Sequence, residues 1–117
     1  MRKIVIAAFL ALMAWPLPVA ADAPGAGNFV VVNGTRAALG ALQIRRAGTQ
    51  EWKALGAGPS AGARSSVTFS DPDCAFDLQA TLPGTGPVTW AGVNLCGAKS
   101  VVLQHDPSAG AWVDYDQ

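Results

Sequence analysis

The sequence predicts an all-β fold: a single small antiparallel β-sandwich of about seven strands, immunoglobulin-like or barrel-like, folding after a cleaved signal peptide. Three observations predict it. Beyond residue 27 apolar residues alternate with polar ones at period two, which places them on one side of a strand. Clusters of Gly, Pro, Asn and Asp punctuate these segments at short intervals. No stretch in the same region keeps a helical period over three turns. The expected organisation is a signal peptide over 1–21, a disordered leader over 22–27 and the sandwich over 28–117. The chain after Ala21 suffices for one domain that buries roughly 60 to 65% of its unfolded surface, with no room for a second.

The signal peptide has three parts. Met1-Arg2-Lys3 is a basic head, Ile4 to Trp15 is an uncharged apolar run, and Val19-Ala20-Ala21 follows helix-breaking Pro16 and Pro18 with the small residues a signal peptidase accepts. The apolar run is shorter than the roughly 20 residues that span a bilayer, so no stable membrane span is expected after cleavage. Cleavage after Ala21 fits best, with Ala23 as the second site. No Cys lies nearby to carry a lipid, and Arg2-Lys3 is not a twin-arginine pair. A periplasmic or secreted location follows, and the alanine-rich signal is bacterial in type.

Taken in order, Phe29-Val30-Val31-Val32 is a β-branched strand ended by the turn Asn33-Gly34-Thr35. Leu39 to Arg46 alternates Leu42 and Ile44 with Gln43 and Arg45. Trp52 to Leu55 makes a short third strand, and Gly56 to Gly62 can only be a loop. Arg64 to Ser70 places Val67 and Phe69 on one face, and Asp71-Pro72-Asp73 turns the chain. Cys74, Phe76, Leu78, Ala80 and Leu82 then share one face, with Asp77, Gln79 and Thr81 on the other. Pro83 to Pro87 closes a hairpin, for which a three-residue loop with Gly86 in the left-handed region is expected. In that register Leu82 faces Val88, Ala80 faces Trp90 and Cys74 faces Cys96. A bulge near Gly92 and the two prolines are where the register can slip. Lys99 to His105 and Ala111 to Tyr115 are the last strands, joined through Asp106-Pro107-Ser108-Ala109-Gly110.

Compartment and register thus agree on a disulfide between Cys74 and Cys96. Closing a loop of that size stabilises a fold by about 3 kcal/mol on the chain-entropy model. With Arg2 and Lys3 removed, six basic residues face eight acidic ones, so the mature chain lies near minus two. No basic stripe marks a nucleic-acid binder. No cofactor or metal site is expected: two distant cysteines and one histidine lack zinc spacing. Asp71, Asp73 and Asp77 are interrupted by Pro72 and Phe76, and Leu82 stands where a calcium loop places its bidentate Glu. Asp71 and Asp73 are read as turn formers, and Asp77 as solvent-facing or capping a backbone amide. Asn33-Gly34-Thr35 matches a glycosylation acceptor but is read as a turn.

The order Val32-Asn33-Gly34-Thr35, Trp52, Asp73-Cys74-Ala75-Phe76-Asp77 and Val93-Asn94-Leu95-Cys96 resembles small exported bacterial β-sandwich proteins of unknown function. Their pattern is Asn-x-Thr, Trp, Cys-x-aromatic-Asp and Asn-x-Cys, and the resemblance covers about residues 30 to 103. It implies a periplasmic sandwich and carries no activity. The loop from Gly56 to Ala63 departs from the pattern.

No catalytic constellation is legible. Cys74 or Cys96 with His105 would make a nucleophile pair only if the thiols were free. A small hydrolase using His105 needs a serine beside it, and none of Ser65, Ser66, Ser70 or Ser108 sits in a nucleophile-elbow sequence. The expected function is therefore a non-catalytic binding protein whose partner is another protein or a cell-envelope component, with a secreted hydrolase inhibitor as the narrower alternative. Arg45, Arg46 and Trp52 form the expected contact surface. Trp52, between Glu51 and Lys53, is the tryptophan expected to be exposed, while Trp90 is expected in the core.

Overall fold

The computed structural model describes residues 25–116; the expected signal peptide and its cleavage sites lie outside them. Eight strands form: β1 (Phe29–Asn33), β2 (Ala41–Arg46), β3 (Lys53–Ala57), β4 (Arg64–Val67), β5 (Ala75–Leu82), β6 (Gly86–Asn94), β7 (Ser100–Asp106) and β8 (Gly110–Asp116). They make two four-stranded sheets in the orders β4-β1-β7-β8 and β3-β2-β5-β6, the two layers of a sandwich. The described residues contain no helix. The pairing is antiparallel except between β1 and β7, which run parallel with Val31 beside Val101. That pair departs from the purely antiparallel expectation.

The period-two alternation decides which side chains enter the space between the sheets. From the first sheet come Phe29, Val31, Val67, Val101 and Leu103; from the second, Leu42, Ile44, Phe76, Leu78, Ala80, Val88, Trp90 and Val93. Trp90 lies in this core as expected, 1% exposed. Its indole N–H crosses between the layers and donates to the Gln104 carbonyl at 2.8 Å, so the largest core side chain leaves no unpaired donor. Phe29, Phe69 and Phe76 meet edge to face, with centroids 5.9 and 5.2 Å apart.

The β5–β6 hairpin corrects the expected register. Leu82 pairs with Gly86, Ala80 with Val88 and Leu78 with Trp90, so the three-residue loop is Pro83-Gly84-Thr85. Thr85 N–H donates to the Leu82 carbonyl at 3.0 Å; Gly84 within the loop has φ +79°, and Gly86 has the positive φ expected of it, +95°, but as the first residue of β6. Placing Pro83 in the loop removes it from a ladder in which it has no N–H to give. A bulge between Phe76 and Leu78 then shifts the register by one, and pairing resumes with Phe76 beside Val93 and Ala75 beside Asn94. One step beyond, Leu95 N–H donates to the Cys74 carbonyl, and the Cys74–Cys96 disulfide closes with its Cα atoms 5.0 Å apart. The expected bond is present, but it lies beyond a bulge and joins Cys74 to the residue after its backbone partner Leu95 rather than closing an unbroken ladder.

The domain also begins earlier than Asn28. Ala26 is buried, and it exchanges backbone hydrogen bonds with Asp71 at 2.7 and 3.1 Å. Within the segment read as a disordered leader, residues 25–27 are thus part of the fold.

Candidate functional site

The structure brings Arg45 and Trp52 together and sends Arg46 elsewhere. Arg45 lies on the outward side of β2, where its Nε donates to Asp77 Oδ2 of β5 at 2.8 Å and its guanidinium carbon sits 4.4 Å from the Trp52 ring centroid. Asp77 is buried although its strand position faces outward, because Arg45 covers it and Gly92 N–H at the bulge donates to Oδ1 at 3.0 Å. Burial alone would raise the Asp77 pKa; the Gly92 amide and the Arg45 guanidinium outweigh it and hold the carboxyl below its ordinary value. Arg46 turns toward the strand end and pairs with Asp71 at 3.1 Å and Asp73 at 3.2 Å. Both arginines of the expected contact surface are therefore committed to carboxylates of the same chain. Trp52 is half-buried, and among the described residues the exposed tryptophan is Trp112.

Several of the residues that carried the resemblance have a structural task. Asn33 is fully buried; its amide nitrogen donates to the carbonyls of Ala37 at 2.8 Å and Pro59 at 3.0 Å, and its Oδ1 accepts Thr35 N–H at 2.8 Å. The side chain therefore ties the end of β1 to two loops. Asn94 Oδ1 accepts Cys96 N–H at 2.9 Å and shapes the turn that presents the cysteine. Phe76 is core, and Asp77 anchors the bulge.

His105 lies at the end of the sandwich that carries the β5–β6 and β7–β8 turns. There it lines a crevice of about 470 Å³ with Arg36, Thr35, Thr85, Asp106 and Trp112. The disulfide sits at the opposite end of β5 and β6, and the structure has no free cysteine, so no Cys–His pair exists. No serine lines the crevice, and the Thr35 hydroxyl is engaged 2.6 Å from Asn33 Oδ1. Asp106 Oδ1 accepts the N–H groups of Ser108 and Ala109, and these bonds, with the charges of His105 and Arg36, lower its pKa. Its carboxylate is used by the turn. Among the described residues no group of three potential metal ligands forms.

What residue-by-residue reading missed is the outward side of the first sheet. Strand registers place Arg64, Val32, Val102 and Asp114 in one row across β4, β1, β7 and β8. Val30 lies in the next row, flanked by Ser66 and Ser100, and Gln104 and Trp112 lie in the row on the other side. The three valines are half-buried, and Trp112 is 43% exposed. On the outward side of the second sheet Gln43, Gln79 and Thr89 are in register, with Gln79 donating to the Thr89 hydroxyl at 2.9 Å, and its one tryptophan among the described residues, Trp52, is held under Arg45. A signal for this was present: Phe29 to Val32 and Val101 to Leu103 are continuous apolar runs, and a strand that meets water on one side alternates. Comparison with known protein families, with characterised proteins and with solved structures yields no match.

Proposed function

We propose that this protein is a non-catalytic binding module of the periplasm or the extracellular space, and that it contacts another protein through the outward side of the β4-β1-β7-β8 sheet. The observation that carries this reading is the asymmetry between the two outward sides: one presents half-buried Val30, Val32 and Val102 with exposed Trp112 one row beyond Val102, whereas the other presents hydrogen-bonded polar residues and an Arg45–Asp77 ion pair against which Trp52 is packed. Apolar side chains next to an exposed tryptophan make the kind of area that association buries. The Cys74–Cys96 bond supports an oxidising compartment. No helix among the described residues is long and apolar enough to cross a membrane.

The test is site-specific photo-crosslinking in cells that produce the protein. A crosslinker at Val102 or Trp112 is expected to give discrete adducts, and one at Thr89 on the opposite sheet none. Equal labelling from both sides, or no adduct from Val102 and Trp112, would overturn the assignment.

A further inference from the structure

The row Arg64–Val32–Val102–Asp114 has a property that singles out one occupant. It runs from a cation on edge strand β4, across two valines, to an anion on edge strand β8. Both end residues are exposed, and among the described residues neither forms a salt bridge; Asp114 accepts a long hydrogen bond from Gln104 Nε2, at 3.3 Å. A two-fold axis parallel to the strands, lying above the sheet, turns the row end for end. Arg64 of one copy then stands over Asp114 of the other, Val32 over Val102, and both relations occur twice. A closed two-fold interface requires such self-complementarity, in which residue i meets j and j meets i.

We infer that a second copy of this chain is the partner that fits this surface, and that the protein forms a two-fold dimer by packing its β4-β1-β7-β8 sheets face to face. The inference rests on the preceding choice of contact surface and adds its occupant. Aligned packing at the usual sheet separation of about 10 Å suits half-buried valines at the centre and longer charged side chains at the rim. The valines supply the apolar contact. The charges fix the orientation, because rotating one copy within the interface plane to reverse its row brings Arg64 over Arg64 and Asp114 over Asp114. The crevice at His105 offers no comparable selectivity, since Arg36 and Asp106 present opposite charges at its wall.

The experiment is sedimentation velocity on the purified, disulfide-bonded protein over a range of concentrations, with charge-swap variants. The native protein is expected to shift from monomer to dimer as concentration rises. Arg64→Glu and Asp114→Arg each convert two attractive contacts into two repulsive ones and are expected to weaken the dimer about tenfold. Combining both swaps restores the complementarity with its sign reversed and is expected to recover the native dissociation constant. A protein that stays monomeric at every concentration would overturn the inference, as would a dimer indifferent to the single swaps or one that the double swap fails to rescue. Thermal melts of the variants establish that they fold. A monomer that still gives crosslinks from Val102 to a different protein would remove the dimer and leave the contact surface standing; a monomer without such crosslinks would remove both.

Discussion

At the scale of single residues, the polar groups that matter most are those the core could not exclude. Asn33 replaces solvent for two carbonyls and one amide, so Asn33→Ala should cost on the order of 2 to 3 kcal/mol, measured as a lower urea midpoint. Asp77 gives the fold a pH dependence whose sign follows from its lowered pKa. The folded state binds its proton less readily than the unfolded state, so the contribution is complete above the ordinary carboxylate value near 4 and is lost as pH falls through the lowered one. Stability against urea should therefore fall as pH drops below the ordinary carboxylate value, and Asp77→Asn should flatten part of that fall. Asp71 and Asp106, also lowered by backbone N–H groups, add to it in the same direction. The turn at Asn33 was legible in the sequence, and the capping of an amide by Asp77 was one of two readings. Burial of Asn33 was not legible, because Pro59 belongs to a loop whose position only the folded chain defines. Nor was the pairing of Arg45 with Asp77, which depends on β2 and β5 being neighbours.

At the scale of elements, alternation placed the strands well and turn chemistry placed their partners less well. The hairpin shows why: two loops of equal length differ by a single step, and the sequence Pro83 to Pro87 contains glycine at two positions, each able to adopt positive φ. The suspected bulge at Gly92 is present, with φ +65°. A side chain there meets no atom within 4 Å but must adopt the left-handed region, so Gly92→Ala should cost about 1 kcal/mol in chemical denaturation. Gly27→Ala, with neither constraint, should be neutral. Replacing both Cys74 and Cys96 by serine should remove about 3 kcal/mol, read from the same unfolding curves.

At the scale of the whole molecule, the sandwich was legible but its strand order was not. Hairpins β2–β3, β5–β6 and β7–β8 are local, and short turns announce them. The joins β1–β7, β1–β4 and β2–β5 link distant segments, for which a single sequence offers no pairing rule. The contact surface suffered the same limit, since Arg64, Val32, Val102 and Asp114 form a row only once four strands are ordered. The parallel join between β1 and β7 also sets a timetable for the chain. Strand β1 is seated between β4 and β7, so in a chain emerging from its N-terminal end it waits for nearly the entire described domain before both its edges are paired. Until then the backbone amides and apolar side chains of Phe29 to Asn33 stay open to whatever holds the emerging chain. A protein shortened at Lys99 loses β7 and β8 together, and it should show no cooperative melting by near-ultraviolet circular dichroism. Pairing one edge of β1 and completing this sandwich are thus separate events, with the β7–β8 hairpin as the clasp that closes the fold.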